Sequence, residues 1–192
     1  MSESRIFTAY QQHNETLEQS LALNSDVLEQ YAQSLSESFA NGKRLIIVGS
    51  GRLAGVASTV ANAFLFQMGE ERPSLPVVAL NQDAGLATTL AQSAAFEQYF
   101  SCQLQAQANA DDCVLFLDCN ASPAMVAALQ TASEIGCSTM VMTCGDEHAW
   151  KKENADLVIP MMAPSHASGV EAVLFFCQLL CRLVESELFG FE

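Results

Sequence analysis

A glycine turn that follows an apolar run is the feature of this sequence best suited to chemistry. Gly49-Ser50-Gly51 comes directly after the apolar residues 45–48 and before a helical pattern. A strand–turn–helix junction of this kind directs backbone N–H groups to a helix N-terminus, where an anion such as phosphate binds. Arg52 adds a guanidinium, which can hold phosphate through two hydrogen bonds or form an ion pair with another subunit. A tight connection that simply needs glycine is the structural alternative.

The second candidate loop, residues 118–123, reads Asp-Cys-Asn-Ala-Ser-Pro and also follows an apolar run. Asn120 or Ser122 can cap the next helix, and Pro123 suits its first position. The same helix N-terminus could bind an anion, although the charge of Asp118 opposes phosphate unless its carboxylate points away. Both loops would lie at the carboxyl ends of parallel strands, where ligands bind. The predicted anion-binding residues are Gly49, Ser50, Gly51, Arg52, Asn120 and Ser122.

Acid–base and metal chemistry have weaker support. His13, His148 and His166 have no spacing typical of a metal site, and His148 lies in a predicted loop. His166 precedes the last helix on the ligand side and could act as a base, but a surface or capping role is the simpler interpretation. Glu171 lies one turn into that helix, where a carboxylate is favourable with the helix dipole. We therefore predict no metal ligands, no cofactor and no catalytic residues.

The cysteines are predicted to be structural. There are seven of them, an odd number, and no CxxC motif occurs. Most lie in apolar stretches, where a free cysteine behaves as a small hydrophobic residue. Reduced core thiols are the prediction, and a regulatory disulfide or a bound metal is the alternative. The seven are Cys102, Cys113, Cys119, Cys137, Cys144, Cys177 and Cys181.

Charge and composition restrict the class of partner. The 192 residues carry 22 acidic and 8 basic side chains, a formal net charge of −14. This balance argues against direct binding of nucleic acid or an anionic membrane, both of which need a basic surface. The N-terminal residues contain no apolar signal core, and the longest apolar stretch, residues 172–180, is too short to span a bilayer. A cytoplasmic protein is expected.

Alternating patterns from residue 44 onward predict an α/β fold. Five short, nearly all-apolar runs are typical of parallel strands buried on both faces, and helical patterns separate them. The prediction is a three-layer sandwich with a five-stranded parallel, flavodoxin-like sheet. The strands are predicted at 44–48, 77–80, 113–117, 139–143 and 157–159, and the helices between and after them at about 54–67, 84–107, 122–135 and 167–188.

Two helices are predicted ahead of the first strand. Apolar residues at helical spacing cover 4–23, and the polar group Asn24-Ser25-Asp26 marks a break before the second helix. Asp26 with Glu29 resembles a capping box. An amphipathic pair that a small sheet cannot cover favours contact with another subunit. We predict a single domain over residues 1–192, with 1–41 as a helical oligomerisation segment and 42–192 as the α/β core.

The order of these motifs resembles the SIS (sugar isomerase) domain family. The resemblance rests on the N-terminal helices, the glycine turn, the segment Glu-Arg-Pro-Ser-Leu-Pro-Val-Val-Ala-Leu-Asn at 71–81 and the long final helix. It covers the chain from about residue 4 to its end. The chain is similar to the branch that holds bacterial phosphoheptose isomerase and DiaA, which associates with the replication initiator DnaA. The segments 71–81 and 181–189 are most similar to DiaA.

The resemblance implies a homotetramer with pockets between subunits. It also implies a set of catalytic positions, which include a metal-binding His and a catalytic Glu on the helix after the glycine turn and a Gln and a catalytic His on the last helix. Each positioned acid or base is worth about 10²–10⁴-fold in rate, so their replacement here predicts negligible isomerase turnover. The matching positions in this chain are Ser50 and Leu53 in the turn, 58–64 on the next helix, Ser122 in the phosphate loop, and Val170 and Gln178 on the last helix.

Three functional hypotheses follow from the resemblance. The first is a non-catalytic SIS tetramer, similar to DiaA, that binds the initiator DnaA and regulates chromosomal replication initiation. Leu188 and Phe189 match the Leu-Phe pair of the initiator-binding surface, although they could instead pack the end of the last helix. The second hypothesis is a sedoheptulose 7-phosphate isomerase that uses Glu171 and His166. The third is a phosphosugar sensor that binds through the predicted anion-binding residues.

Overall fold

The computed structural model describes residues 4–67 and 69–191. After a long first helix, strands and helices alternate along the chain, and short 3₁₀ turns lead directly into the second and fourth helices. The elements are α1 (Arg5–Ala40), β1 (Leu45–Gly49), α2 (Ala54–Leu65), β2 (Val77–Ala79), α3 (Ala84–Gln92), α4 (Tyr99–Gln107), β3 (Cys113–Asp118), α5 (Pro123–Ile135), β4 (Ser138–Thr143), α6 (Glu147–Lys152), β5 (Leu157–Pro160) and α7 (His166–Phe189).

The five strands form one parallel sheet in the order β2-β1-β3-β4-β5. β1 and β3 are buried along their full length, which explains why their sequences are nearly continuous apolar runs. In the register Gly49 pairs with Leu117 and Asp118 pairs with Thr143, so the carboxyl ends of the central strands are nearly level. The predicted parallel sheet is confirmed, and each strand bound lies at or next to its predicted residue.

Helices cover both faces of the sheet. Side chains alternate along a strand, so Leu45 and Ile47 of β1 face one layer, where they join a core cluster with α1, α2 and α7. Ile46 and Val48 face the other layer and join a cluster with α4, α5 and the buried Trp150 of α6. This arrangement confirms the predicted three-layer sandwich.

The prediction of two N-terminal helices is wrong, because α1 is one continuous helix of 36 residues. The polar group Asn24-Ser25-Asp26 lies inside it. Asn24 is buried, and its side-chain amide donates hydrogen bonds to Ser20 O at 2.8 Å and to Pro160 O at 3.0 Å. An acceptor at the end of β5 therefore satisfies a polar side chain that the sequence pattern alone assigns to a helix break. Asp26 occupies the helix interior and is not an N-cap.

Two shorter segments also differ from prediction. The predicted helix 84–107 is divided into α3 and α4, with Ala94 between them in a left-handed conformation at φ 52°. The region around His148, predicted as a loop, forms α6. Asp146 caps this helix by accepting a hydrogen bond from His148 N at 2.9 Å, and Trp150 is fully buried. The buried indole fixes a helix that is otherwise polar and short.

The final helix, α7, is long and apolar enough by length and composition to cross a membrane, with a mean hydropathy of 1.6 over its best 18-residue window. The sequence prediction considered only the apolar stretch 172–180, which is part of this helix. In the fold, α7 packs against α1 and α2, and Phe176, Cys177 and Leu180 are fully buried. A core helix passes the same compositional test, so α7 is weak evidence for a membrane span.

Candidate functional site

The candidate site lies at the carboxyl edge of the sheet, between the loops that follow β1 and β3. From β1 the chain goes to β2 on one side and then to β3 on the other, so these loops flank the topological switch point where α/β proteins bind ligands. A cavity of 270 Å³ opens there. It is lined by Ser50, Gly51, Arg52, Asp118, Cys119, Asn120 and His166.

Two requirements shape the glycine turn. Gly51 has a φ of 53°, a left-handed conformation that favours glycine. A Cβ atom on Gly49 would lie 2.5 Å from Leu53 O and 2.8 Å from the Ala57 Cβ atom, so glycine allows α2 to start close to the strand. The tight connection and the binding role are therefore compatible, because Ser50 and Gly51 also line the cavity.

A buried carboxylate joins the two loops. Asp118 is 4% exposed, and its oxygens accept hydrogen bonds from Ser50 Oγ and, at 3.3 Å, from Ser122 N. These bonds give the buried carboxylate two hydrogen-bond donors, one from each loop. The Asp118 carboxylate points toward the donors Ser50 Oγ and Ser122 N, but it also lines the cavity and makes that part of the wall negative. A bound phosphate would therefore need a positive group farther from Asp118.

Arg52 and His166 provide polar groups at the exposed side of the cavity. Within residues 4–67 and 69–191, no carboxylate forms an ion pair with the Arg52 guanidinium. His166 is exposed, as predicted, but it is the first residue of α7 and not its cap. The cap is Ser165, whose hydroxyl accepts a hydrogen bond from Ser168 N at 3.2 Å. In the sequence, the only indication that His166 belongs to the site was its position shortly after the fifth predicted strand.

Asn120 lines the cavity as predicted, but two other predicted binding residues lie outside it. Gly49 lines a neighbouring cavity of 300 Å³ whose wall contains the aromatic rings of Phe96, Tyr99 and Phe100. Ser122 has the extended backbone of an N-cap, although its hydroxyl makes no capping hydrogen bond to the residues described. Its backbone N–H group donates a hydrogen bond to the Asp118 carboxylate.

The prediction of reduced core thiols is wrong for one pair, because Cys119 and Cys144 form a disulfide. Cys119 follows β3 and Cys144 follows β4, and these strands are neighbours in register. The separation of 25 residues gives no compact sequence motif, so the only signal was that each cysteine directly follows a buried strand. Of the five free thiols, Cys102 is half-buried and the others are buried as predicted: Cys113, Cys137, Cys177 and Cys181.

The structure does not bring the predicted acid–base pair together. His166 lines the cavity, whereas the Glu171 carboxylate lies 2.9 Å from His13 Nδ1 and joins α7 to α1. The metal ligands that the family resemblance implies also have no counterpart on α2, which reads AGVASTVANAFL and contains no His, Cys, Asp or Glu. The residues of α2 therefore do not fit a bound metal.

The pair predicted to bind a partner, Leu188 and Phe189, is half-buried at the end of α7. Both side chains pack against the core cluster shared with α1 and α2, and the Phe189 ring stacks on Phe191 at a centroid distance of 5.5 Å. The structural alternative, packing of the helix end, accounts for these contacts. Partner binding by this pair stays a prediction.

Comparison with known proteins shows the family of this chain. The sequence model of the SIS-domain family matches residues 9–144. A phosphoheptose isomerase of Trichlorobacter lovleyi is 33% identical over 162 residues, which cover 83% of this chain and 81% of that protein. A phosphoheptose isomerase of Methylococcus capsulatus is 29% identical over 189 residues, 97% of each chain.

A solved structure gives the same fold. The phosphoheptose isomerase from Francisella tularensis superposes with a TM-score of 0.81 at 20% identity, covering 95% of this chain and all of that one, 100%. The matched residues 9–144 include the glycine turn and the loop after β3, which together form most of the cavity. The chain therefore belongs to the SIS-domain family and has phosphoheptose isomerases among its homologues.

Proposed function

We propose that this protein binds a phosphorylated sugar in the cavity between the glycine turn and the loop after β3. The observation that carries the proposal is the convergence of Ser50, Arg52, Asn120 and His166 on one cavity at the topological switch point. Backbone N–H groups at a helix start suit a phosphate, and Arg52 offers an exposed guanidinium for it. Hydroxyl and amide side chains in the same wall suit the sugar.

The partition of charge in the cavity supports one orientation of the ligand. Asp118 lies in the inner wall, and Arg52 and His166 lie at the exposed side. A phosphate would be repelled from the inner wall and attracted to Arg52, so the phosphate binds outward. The sugar hydroxyls then face Ser50 and Asn120.

Binding is tested by calorimetric titration of the protein with sedoheptulose 7-phosphate, fructose 6-phosphate, the matching unphosphorylated sugars and inorganic phosphate. We expect binding of at least one sugar phosphate and a loss of affinity of about tenfold or more in Arg52→Gln, since a charge-assisted hydrogen bond is worth roughly 1.5–3 kcal/mol. Arg182→Gln, at an exposed position on α7, is the matched control. Unchanged affinity in Arg52→Gln, or no binding of any phosphorylated sugar, would overturn the proposal.

Isomerisation of a phosphorylated heptose is the second candidate. It is favoured by the names of the relatives and by His166, a base within the cavity. Glu171 is engaged by His13, so His166 would lack the second group that this hypothesis assigns to it. We expect negligible product from sedoheptulose 7-phosphate even at high protein concentration. Product above background that disappears in His166→Asn would instead establish an isomerase.

Recruitment of the initiator DnaA by a tetramer remains a separate proposal that does not require the cavity. Leu188 and residues of α1 line a separate cavity of 300 Å³, away from the carboxyl edge of the sheet. The end of α7 therefore has a surface that a partner could contact. The test is a pull-down with purified DnaA, comparing the wild type with the double variant Leu188→Ala, Phe189→Ala, whose folding is checked by circular dichroism. Equal capture by a folded double variant, or no capture by the wild type, would count against it.

A further inference from the structure

Two cysteines and a histidine meet at the edge of the candidate site. The disulfide partners Cys119 and Cys144 lie at the carboxyl ends of β3 and β4, and His166 begins α7. The two sulfur atoms and a ring nitrogen of His166 all lie within 4.8 Å of one another. A ring nitrogen and two sulfurs at this separation form a set of three atoms of the kinds that ligate metal ions.

The close approach of these three residues is built into the backbone. A Cβ atom on Gly145 would overlap Cys119 O, and a Cβ atom on Gly169 would overlap the Cys144 side chain. Glycine at both positions therefore lets the loop after β4 lie against the loop after β3, and lets the first turn of α7 lie against Cys144. The loop after β3, the loop after β4 and the first turn of α7 therefore meet at one point, and packing of the backbone fixes their positions.

The pair also differs in its surroundings from the two buried thiols of α7. Burial raises the pKa of Cys181 to about 12 and holds the pKa of Cys177 well above its ordinary value, so these thiols stay protonated. Cys119 and Cys144 are half-buried and lie between two cavities: Cys119 lines the one of 270 Å³, and Cys144 lines one of 520 Å³ bounded by α1. Small molecules and ions can therefore reach this pair.

We infer that the reduced protein binds a divalent cation that prefers thiolate ligands, of the Zn²⁺ type, at Cys119 Sγ, Cys144 Sγ and a ring nitrogen of His166. Zn²⁺ takes Cys and His ligands in tetrahedral geometry, with Zn–S near 2.3 Å and Zn–N near 2.0–2.1 Å. A tetrahedral arrangement needs the two sulfurs about 3.7 Å apart, so the disulfide bond must be reduced before the cation binds. Three protein ligands leave a fourth position for water.

The disulfide and the metal site are alternative uses of the same sulfurs. A dithiol reductant supplies two electrons and two protons to the disulfide, giving two thiols, while the reductant itself becomes a disulfide. Binding of the cation then releases both thiol protons, because thiolates are the ligands. The inference goes beyond the proposed sugar binding and does not depend on it.

The test is a titration of the reduced protein with Co²⁺, which reports a tetrahedral thiolate site by its visible d–d bands and its thiolate-to-cobalt charge-transfer band. We expect one Co²⁺ per chain, displacement by Zn²⁺, and loss of the charge-transfer band in Cys119→Ser and in Cys144→Ser. His166→Asn should shift the d–d bands and weaken binding. Protein oxidised with diamide should bind no Co²⁺.

Cys102→Ser is the matched control, because Cys102 is the half-buried free thiol away from the cluster. It should keep the full spectrum. The inference is overturned if the reduced wild type gives no charge-transfer band, or if the band survives in both Cys119→Ser and Cys144→Ser. Serine is nearly isosteric with cysteine, so each serine variant is expected to fold. His166→Asn keeps both cysteines, so its spectrum tests the third ligand without changing the disulfide.

Discussion

Asp118 illustrates how one side chain can organise a binding loop and also limit what it binds. Its carboxylate connects the Ser50 hydroxyl to the N-terminus of α5 while buried to 4% exposure. Without it, the glycine turn and the loop after β3 would lose their shared acceptor. With it, the inner wall of the cavity is negative.

Replacement of Asp118 by Asn should therefore destabilise the fold. The amide oxygen can still accept from Ser122 N and its NH₂ group can donate to Ser50 Oγ, but the Ser50 hydroxyl hydrogen then loses its acceptor. An unsatisfied buried group costs about 1–3 kcal/mol, and we expect a loss of that size in the free energy of unfolding measured in urea. Asp26→Asn, which removes the same charge at an exposed position on α1, should change stability by less than about 0.5 kcal/mol. Equal effects of the two changes would contradict this role for Asp118.

A buried thiol makes stability depend on alkaline pH. Burial, together with the charge of Asp112, raises the pKa of Cys137 from 9.0 to about 11. The unfolded chain releases this proton near its ordinary pKa while the folded chain retains it, so the free energy of unfolding falls as pH rises from about 9 to about 11. Cys137→Ala should lose less stability than the wild type over this window, measured by urea unfolding at several pH values. Parallel curves for the two proteins would show that Cys137 does not contribute.

At the scale of elements, Arg72 joins the end of α2 to α7. Its guanidinium donates to Ala63 O at 2.8 Å and to Phe64 O at 2.9 Å, two carbonyls at the end of α2, and its Nε atom lies 2.5 Å from Glu185 Oε1. Arg72 is only 7% exposed. It belongs to the segment 71–81 that carries the family resemblance, so that segment has a structural role here.

Removal of one partner should be costly, because it leaves a buried charge uncompensated. Breaking such a buried pair typically costs about 3–5 kcal/mol, and we expect Arg72→Met to lower the free energy of unfolding by roughly this amount. Arg182→Met removes an exposed arginine one turn from Glu185 and should cost much less. The double variant Arg72→Met, Glu185→Leu should recover a large part of the loss. No recovery would mean that the carbonyl contacts of Arg72, and not its charge, dominate.

The elements that the sequence predicted well were those whose pattern depends only on burial. Strands β1 and β3 are apolar because both of their faces are covered, so their runs are visible without knowledge of partners. The break at Asn24 was wrong because Pro160, 136 residues away, supplies the acceptor that keeps this polar residue in a helix. The helix around Trp150 was missed because it is short and has no periodic apolar pattern. The buried indole and the Asp146 cap hold it.

In the candidate site, too, some features could be predicted from the local sequence and others depend on distant residues. The glycine turn and Asn120 could be predicted, because parallel strands bring their carboxyl ends to one edge. The meeting of Cys119 with Cys144 depends on the register of β3 and β4 and on the close approach at Gly145 and Gly169, neither of which leaves a local signal.

At the scale of the whole molecule, the first turns of α1 expose large apolar side chains. Ile6 is 82% exposed and Tyr10 59%, and these two residues are one helical turn apart. Phe7 is 49% exposed beside them, and its ring stacks on Tyr10 at 6.1 Å. Side chains of this size are usually covered, and in a chain with a net charge of −14 an apolar contact must overcome repulsion between copies.

We predict that α1 contributes to a homo-oligomer, which the family resemblance expects to be a tetramer. Because each copy carries a charge of −14, association should strengthen as salt screens the repulsion. Light scattering coupled to size exclusion should give the mass of a tetramer for the wild type and a smaller species for Ile6→Glu, Tyr10→Glu. The control Thr88→Glu, Gln130→Glu adds the same charge at exposed positions on α3 and α5 and should keep the wild-type mass. A monomeric wild type at high salt, or an unchanged mass in the α1 variant, would contradict this role for the apolar surface of α1.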